Sequence, residues 1–161
     1  MDNFDWALSV ILQHEGGLTD DPRDPGGVTS YGIALNRHPE LSRDDILNMT
    51  PERAARIYHA LYWRPICGDE LPRELSLCVF DAAVMSGVLR GARWLQQVVE
   101  VDVDEHIGPV TIAAARECQP SAACQAYTDT RLAFLRTLPT WDAFGRGWEN
   151  RCLDTLRRAL S

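Results

Sequence analysis

Nothing in the 161-residue sequence approaches the ~18 consecutive apolar residues of a membrane span, so no membrane insertion is expected. Basic residues are in deficit. Lys+Arg 16 against Asp+Glu 23 gives a formal charge of −7, which argues against nucleic acid held through bulk charge. The opening residues, Met1-Asp2-Asn3-Phe4-Asp5, lack the basic n-region of a signal peptide, and the expectation is a protein made in the cytoplasm without one. The five cysteines (Cys67, Cys78, Cys118, Cys124, Cys152) are odd in number, form no C-x-x-C pair and have no histidine at zinc spacing. They read as buried free thiols. With His14, His38, His59 and His106 scattered, neither a metal nor a cofactor is expected. What is present is the make-up of an ordinary folded domain, 45% hydrophobic and 24% charged.

The pattern predicts a mainly α protein with a small β-hairpin/loop insertion after the first helix. Phe4, Ala7, Leu8, Ile11 and Leu12 repeat at helical spacing, with Asp2 or Asn3 as cap and Gly16-Gly17 as stop. Residues 18–41 carry turn chemistry around the β-prone Val28-Thr29-Ser30-Tyr31-Gly32-Ile33. Helices then resume. Ser42 with Asp45 marks one start, and Thr50-Pro51-Glu52 opens a helix expected to run to Trp63. Two helices broken near Gly87 follow, then one opened by Gly108-Pro109 and two more toward the end. Trp141, Phe144 and Trp148 read as a core stripe or a carbohydrate platform, the former being commoner at this spacing. Arg146, Arg151, Arg157 and Arg158 read as a local basic face or a solvated helix surface.

Glu15 is the most informative residue. Its spacing from Ile11 and Leu12 places it on the apolar stripe, at the helix end where the macrodipole disfavours negative charge. Burial acts in the same direction, so the carboxyl is expected to keep its proton and serve as a general acid. The competing reading is a helix-ending glutamate paired with an arginine. The acid reading needs Glu15 beside a groove and not locked ionised against an arginine. Asp24, in a Pro- and Gly-rich loop, is the natural second carboxylate, with an Asx-turn as its ordinary reading. Thr29 is a candidate to hold an attacking water, or simply a strand residue. Tyr31 is a candidate to stack on a sugar, or to pack the base of the hairpin.

His14-Glu15-Gly16-Gly17, followed by Asp21-Pro22-x-Asp24-Pro25-Gly26-Gly27-x-Thr29-x-Tyr31-Gly32-Ile33, resembles the opening signature of glycoside hydrolase family 108. These are N-acetylmuramidases of the phage-endolysin type. The likeness continues through Tyr62-Trp63-x-Pro65-Ile66-x-Gly68-Asp69-Glu70-Leu71-Pro72 and Phe80-Asp81-x-Ala83-Val84-x-Ser86-Gly87. It extends to Ile107-Gly108-Pro109-x-Thr111 and Trp141-x-x-Phe144-Gly145-x-Gly147-Trp148, covering nearly the whole chain. Ser30 and Met85 stand where the family usually has Asn, Ala34 where it often has Thr, and Asp104-Glu105 where it has Asp-Gly.

The resemblance implies a lysozyme-like helical globule, with residues 1–90 a muramidase half and residues 91–161 a peptidoglycan-binding half, packed as one unit. It implies a peptidoglycan hydrolase cutting the β-1,4 bond between N-acetylmuramic acid and N-acetylglucosamine. Glu15, Asp24 and Thr29 are the expected catalytic residues, and Tyr31, Trp63, Asp81 and Ser86 the expected substrate-binding ones. Alternatives are a lytic transglycosylase using the same glutamate, an antibacterial effector, and a non-catalytic wall-binding protein. The partner implied is bacterial peptidoglycan, met in the periplasm or on the wall. Export by a holin or a secretion system, and an immunity protein for an effector, complete the set.

Overall fold

The first helix begins where the sequence places a cap. Asp2 Oδ1 accepts from the backbone N–H of Asp5 at 2.7 Å, and α1 (Asn3–Glu15) ends at Gly16, whose φ of 76° a side chain would resist. A computed structural model describes residues 2–23 and 27–161. Among the described residues, α1 is followed by β1 (Thr29–Ser30) and β2 (Ile33–Ala34), an antiparallel pair with Thr29 opposite Ala34. The turn between them, Tyr31-Gly32, has φ of 50° and 75°. Two positive φ values in a two-residue loop match the twist of a hairpin, and glycine is the residue that accepts one without strain. A short 3-10 turn (Leu35–Arg37) leads away from it.

Seven helices follow. They are α2 (Arg43–Leu47), α3 (Pro51–Tyr58), α4 (Arg73–Ser86), α5 (Val88–Val98), α6 (Pro109–Glu117), α7 (Pro120–Leu135) and α8 (Trp141–Ala159). Ser42 and Asp45 exchange hydrogen bonds in a capping box, and the Thr50 hydroxyl accepts from Arg53 N–H ahead of Pro51. The helix expected to run to Trp63 changes character instead. After Tyr58 it widens into a π-helical turn, His59–Trp63.

The architecture is a lysozyme-like, mainly α fold built around α4. Every residue from Leu75 to Ala83 is buried, as expected of a helix with neighbours on all sides. Those neighbours are α1, α5, α7 and α8. One apolar core runs continuously from Ala7 of α1 to Ala159 of α8, crossing the 90/91 boundary. A smaller cluster of Leu132, Leu135 and Cys152 is covered by Trp141 and Trp148, while Phe144 stays 58% exposed. All five cysteines are free, three of them buried and Cys67 and Cys118 half-buried. Among the described residues, no helix is long and apolar enough to cross a membrane.

Candidate active site

Glu15 stands at the last position of α1, and the hairpin closes over its stem. A Cβ on Gly32 would lie 2.7 Å from both Cβ and Cγ of Glu15, and 2.5 Å from the Tyr58 hydroxyl. Contact this close leaves room only for glycine. Tyr58, buried in the core, donates its hydroxyl hydrogen to the Tyr31 carbonyl at 2.9 Å and so ties the turn to α3. Burial, with the Glu15 charge adding to it, holds the Tyr58 phenol well above its ordinary range, so it remains a donor.

The Glu15 carboxyl opens into a groove of about 300 Å³. Thr29, Arg37, Tyr62, Val84 and Met85 line it with Glu15. The wall is therefore mixed. It offers a hydroxyl, a cation, an aromatic ring and two apolar side chains around one carboxyl. That suits a polar ring-shaped ligand better than a purely apolar one. The π-helical turn delivers Tyr62 to this wall, and the end of α4 delivers Met85.

Beneath Glu15 lies a chain of buried charges. Arg151 Nη1, from α8, is 2.8 Å from Glu15 Oε1. On its other side, Arg151 Nε donates to Asp81 Oδ1 at 2.8 Å, and Asp81 Oδ2 accepts from Arg131 Nη1 of α7 at 2.6 Å. Asp81 is wholly buried. Burial alone would push its carboxyl up, but the charges and hydrogen bonds of Arg131 and Arg151 hold it below the ordinary carboxylate range. His14 sits beside Glu15, 3.5 Å from Asp154 Oδ2. Burial, and then the Arg151 charge, lowers its pKa below the usual histidine value.

These positions sort the expected site residues. Glu15 and Thr29 share the groove. Asp24 lies outside the described residues. Tyr31 is half-buried and packs against the core, offering its carbonyl to Tyr58. Trp63, expected in the cleft, is fully buried instead. Its indole N–H donates to Asp69 Oδ1 at 3.0 Å and its ring lies flat on Gly68, because the π-turn rotates it inward. Asp81 is not at the groove surface either; it is the anchor for two arginines below it. Ser86 lines a neighbouring hollow with Gly87, Arg93 and Glu105.

Two corrections concern charge. Glu15 was read as a protonated acid on an apolar stripe, with an arginine pair as the competing reading, and an arginine does face it. Arg151 was expected on a solvated or basic face, and its side chain is only 12% exposed. The pairing is not a sealed one, however, since the Glu15 side chain keeps 20% exposure and engages Arg151 through one oxygen. The roles of Arg37, Tyr62, Gly32 and the paired arginines at the site escaped the sequence reading. A signal for Arg131 did exist. It shares a helical face with Cys124, Tyr127 and Leu135, and an arginine on an apolar stripe needs a buried anion.

Residues 8–87 match the family described as Glycosyl hydrolase 108. A solved structure of SagA from Brucella abortus is similar over 98% of this chain and 93% of that one, at 36% identity and a TM-score of 0.87. No curated protein matches.

Proposed function

From the premise that the chain belongs to glycosyl hydrolase family 108, we propose that it hydrolyses peptidoglycan, with Glu15 as the general acid. The bond cut is the β-1,4 linkage between N-acetylmuramic acid and N-acetylglucosamine. One observation carries the reading. The Glu15 carboxyl stands in the wall of an open groove with Thr29, Arg37 and Tyr62 around it.

The chemistry follows from that placement. Breaking a glycosidic bond needs a proton on the leaving oxygen and stabilisation of the oxocarbenium-like sugar left behind. Glu15, in the groove wall, is proposed to hand over that proton. Asp24, which falls in the sequence between α1 and β1, is proposed as the second carboxylate. The Thr29 hydroxyl is proposed to hold the attacking water. Trp63 and Asp81 are not carried forward as sugar contacts, because both are buried and hydrogen-bonded within the protein, whereas Tyr31 and Ser86 stay proposed ones.

Met85 lends the site a character of its own. It lines the groove with Val84, making that stretch of wall apolar. A thioether there packs against the flat face of a sugar or an N-acetyl methyl and offers no amide hydrogen bond.

The test is turnover on purified murein. Glu15→Gln keeps the volume of the side chain and one hydrogen-bonding oxygen but supplies no acidic proton. General acid catalysis contributes about 10²–10⁴-fold, so the variant should release reducing ends at least about 100-fold more slowly while keeping its melting temperature. Near-normal release by the folded variant would remove Glu15 from the mechanism.

A further inference from the structure

We infer that Arg151, set in place by the buried Asp81–Arg131 pair, is the positioning residue for Glu15, so that α8 completes an active site otherwise built from the first half of the chain. This rests on the reading of Glu15 as the acid.

The argument starts from how Arg151 is shared. Asp81 has two oxygens, and Arg131 Nη1 holds Oδ2 at 2.6 Å. Arg151 is left with Oδ1, which both its Nε and Nη2 approach at 2.8 Å. Two parallel hydrogen bonds to one carboxylate need both oxygens. With one taken, Arg151 Nη2 ends without an aligned acceptor, and Arg131 Nε is buried without one as well. The fork is therefore not optimised for Asp81. Its remaining arm, Nη1, points to Glu15 Oε1 at 2.8 Å. Asp81 thus fixes the azimuth of the guanidinium, and the guanidinium fixes one oxygen of Glu15.

Charge makes the same case. Two buried guanidinium groups face one buried carboxylate, and one positive charge is left over. Glu15 supplies the missing anion from the groove end of the chain. A fold that needed only to clasp α4, α7 and α8 together has an alternative in apolar packing, since replacing buried ion pairs by hydrophobic groups is often neutral or stabilising. The buried charges here instead end on a partly exposed carboxyl in a groove. Arginine suits this role because its planar fork serves two carboxylates in fixed directions, which a lysine ammonium does not.

The other groups around Glu15 act from fixed places. His14 is its neighbour on α1 and is faced by Asp154 and Arg158 of α8. Tyr58 of α3 and Tyr62 of the π-turn stand across from it, and Arg37 follows β2. Arg151 is the cation in direct contact. Its removal should free the carboxyl to rotate.

The experiment measures kcat and KM separately on purified murein, with reducing ends as readout, for wild type, Arg151→Met and Arg151→Lys. Arg151→Met is expected to lower kcat about tenfold or more while KM stays near wild type, because the acid and not the glycan loses its place. Arg151→Lys keeps the charge and loses the fork. It is expected to lose kcat as well, with KM near wild type. If Arg151→Met fails to fold, the Lys variant still decides, because full rate without the fork would overturn the positioning role. A folded Arg151→Met with an unchanged kcat overturns the inference too. Should Glu15→Gln retain normal turnover, it is the assignment of Glu15 that fails, whatever Arg151 does.

Discussion

At the scale of single residues, Glu15 and Asp81 divide the work between chemistry and support. Both are carboxylates on helices, yet one opens to a groove and the other is wholly buried against two arginines. Removing one partner of a buried ion pair leaves an uncompensated charge, a loss of about 3–5 kcal/mol. Asp81→Ala is therefore expected to lower the unfolding free energy by about that much in denaturant titration. A loss under about 1 kcal/mol would mean that the arginines find water or another anion. The placement of Glu15 at the end of an apolar stripe, before two glycines, was legible in the sequence, with a groove and an arginine partner as its two competing surroundings. Which arginine would pair with it was not legible. Arg151 lies on another helix, and one sequence carries no record of which distant charges meet. The same blindness misplaced Asp81, whose motif neighbours suggested the site without saying from which side it serves it.

Among the elements, the hairpin and the π-turn decide the shape of the groove. The caps at Asp2, Ser42 and Thr50 were readable because capping is local chemistry between neighbours three residues apart. The hairpin was readable for the same reason, although its role as a lid on the Glu15 stem was not. Gly32→Ala tests that role. The new methyl needs a φ near 75° and meets Glu15 Cβ and Cγ at 2.7 Å, so the turn and the carboxyl must both move. Backbone strain of about 1–3 kcal/mol is expected, with a fall in murein turnover larger than the stability loss explains. Wild-type turnover in this variant would show that the hairpin does not position Glu15. The π-turn escaped the sequence reading altogether. A reading based on 3.6 residues per turn carries Trp63 to the wrong side once the helix widens after Tyr58. The result sends Trp63 into the core and Tyr62 to the groove.

Across the whole molecule, the mainly helical fold was legible because periodicity and caps agree along the chain, and the family match accords with it. The boundary at residues 90/91 separates two halves expected to pack as one unit. A single apolar core crosses it, and Arg131 and Arg151 reach back from α7 and α8 to Asp81 and Glu15. All sixteen basic residues are arginines. Seven sit in surface pairs such as Arg43–Asp20 and Arg136–Glu149, which contribute little to stability beside the core. The account's central claim is that this groove cuts glycan strands by adding water across the sugar linkage. Mass spectrometry of soluble fragments from purified murein tests it most directly. Digestion by the wild-type protein is predicted to give disaccharide-containing fragments ending in a reducing N-acetylmuramic acid. Fragments lighter by one water would instead mark an anhydro product made by the substrate's own hydroxyl, and an absence of sugar fragments would contradict glycan cleavage itself.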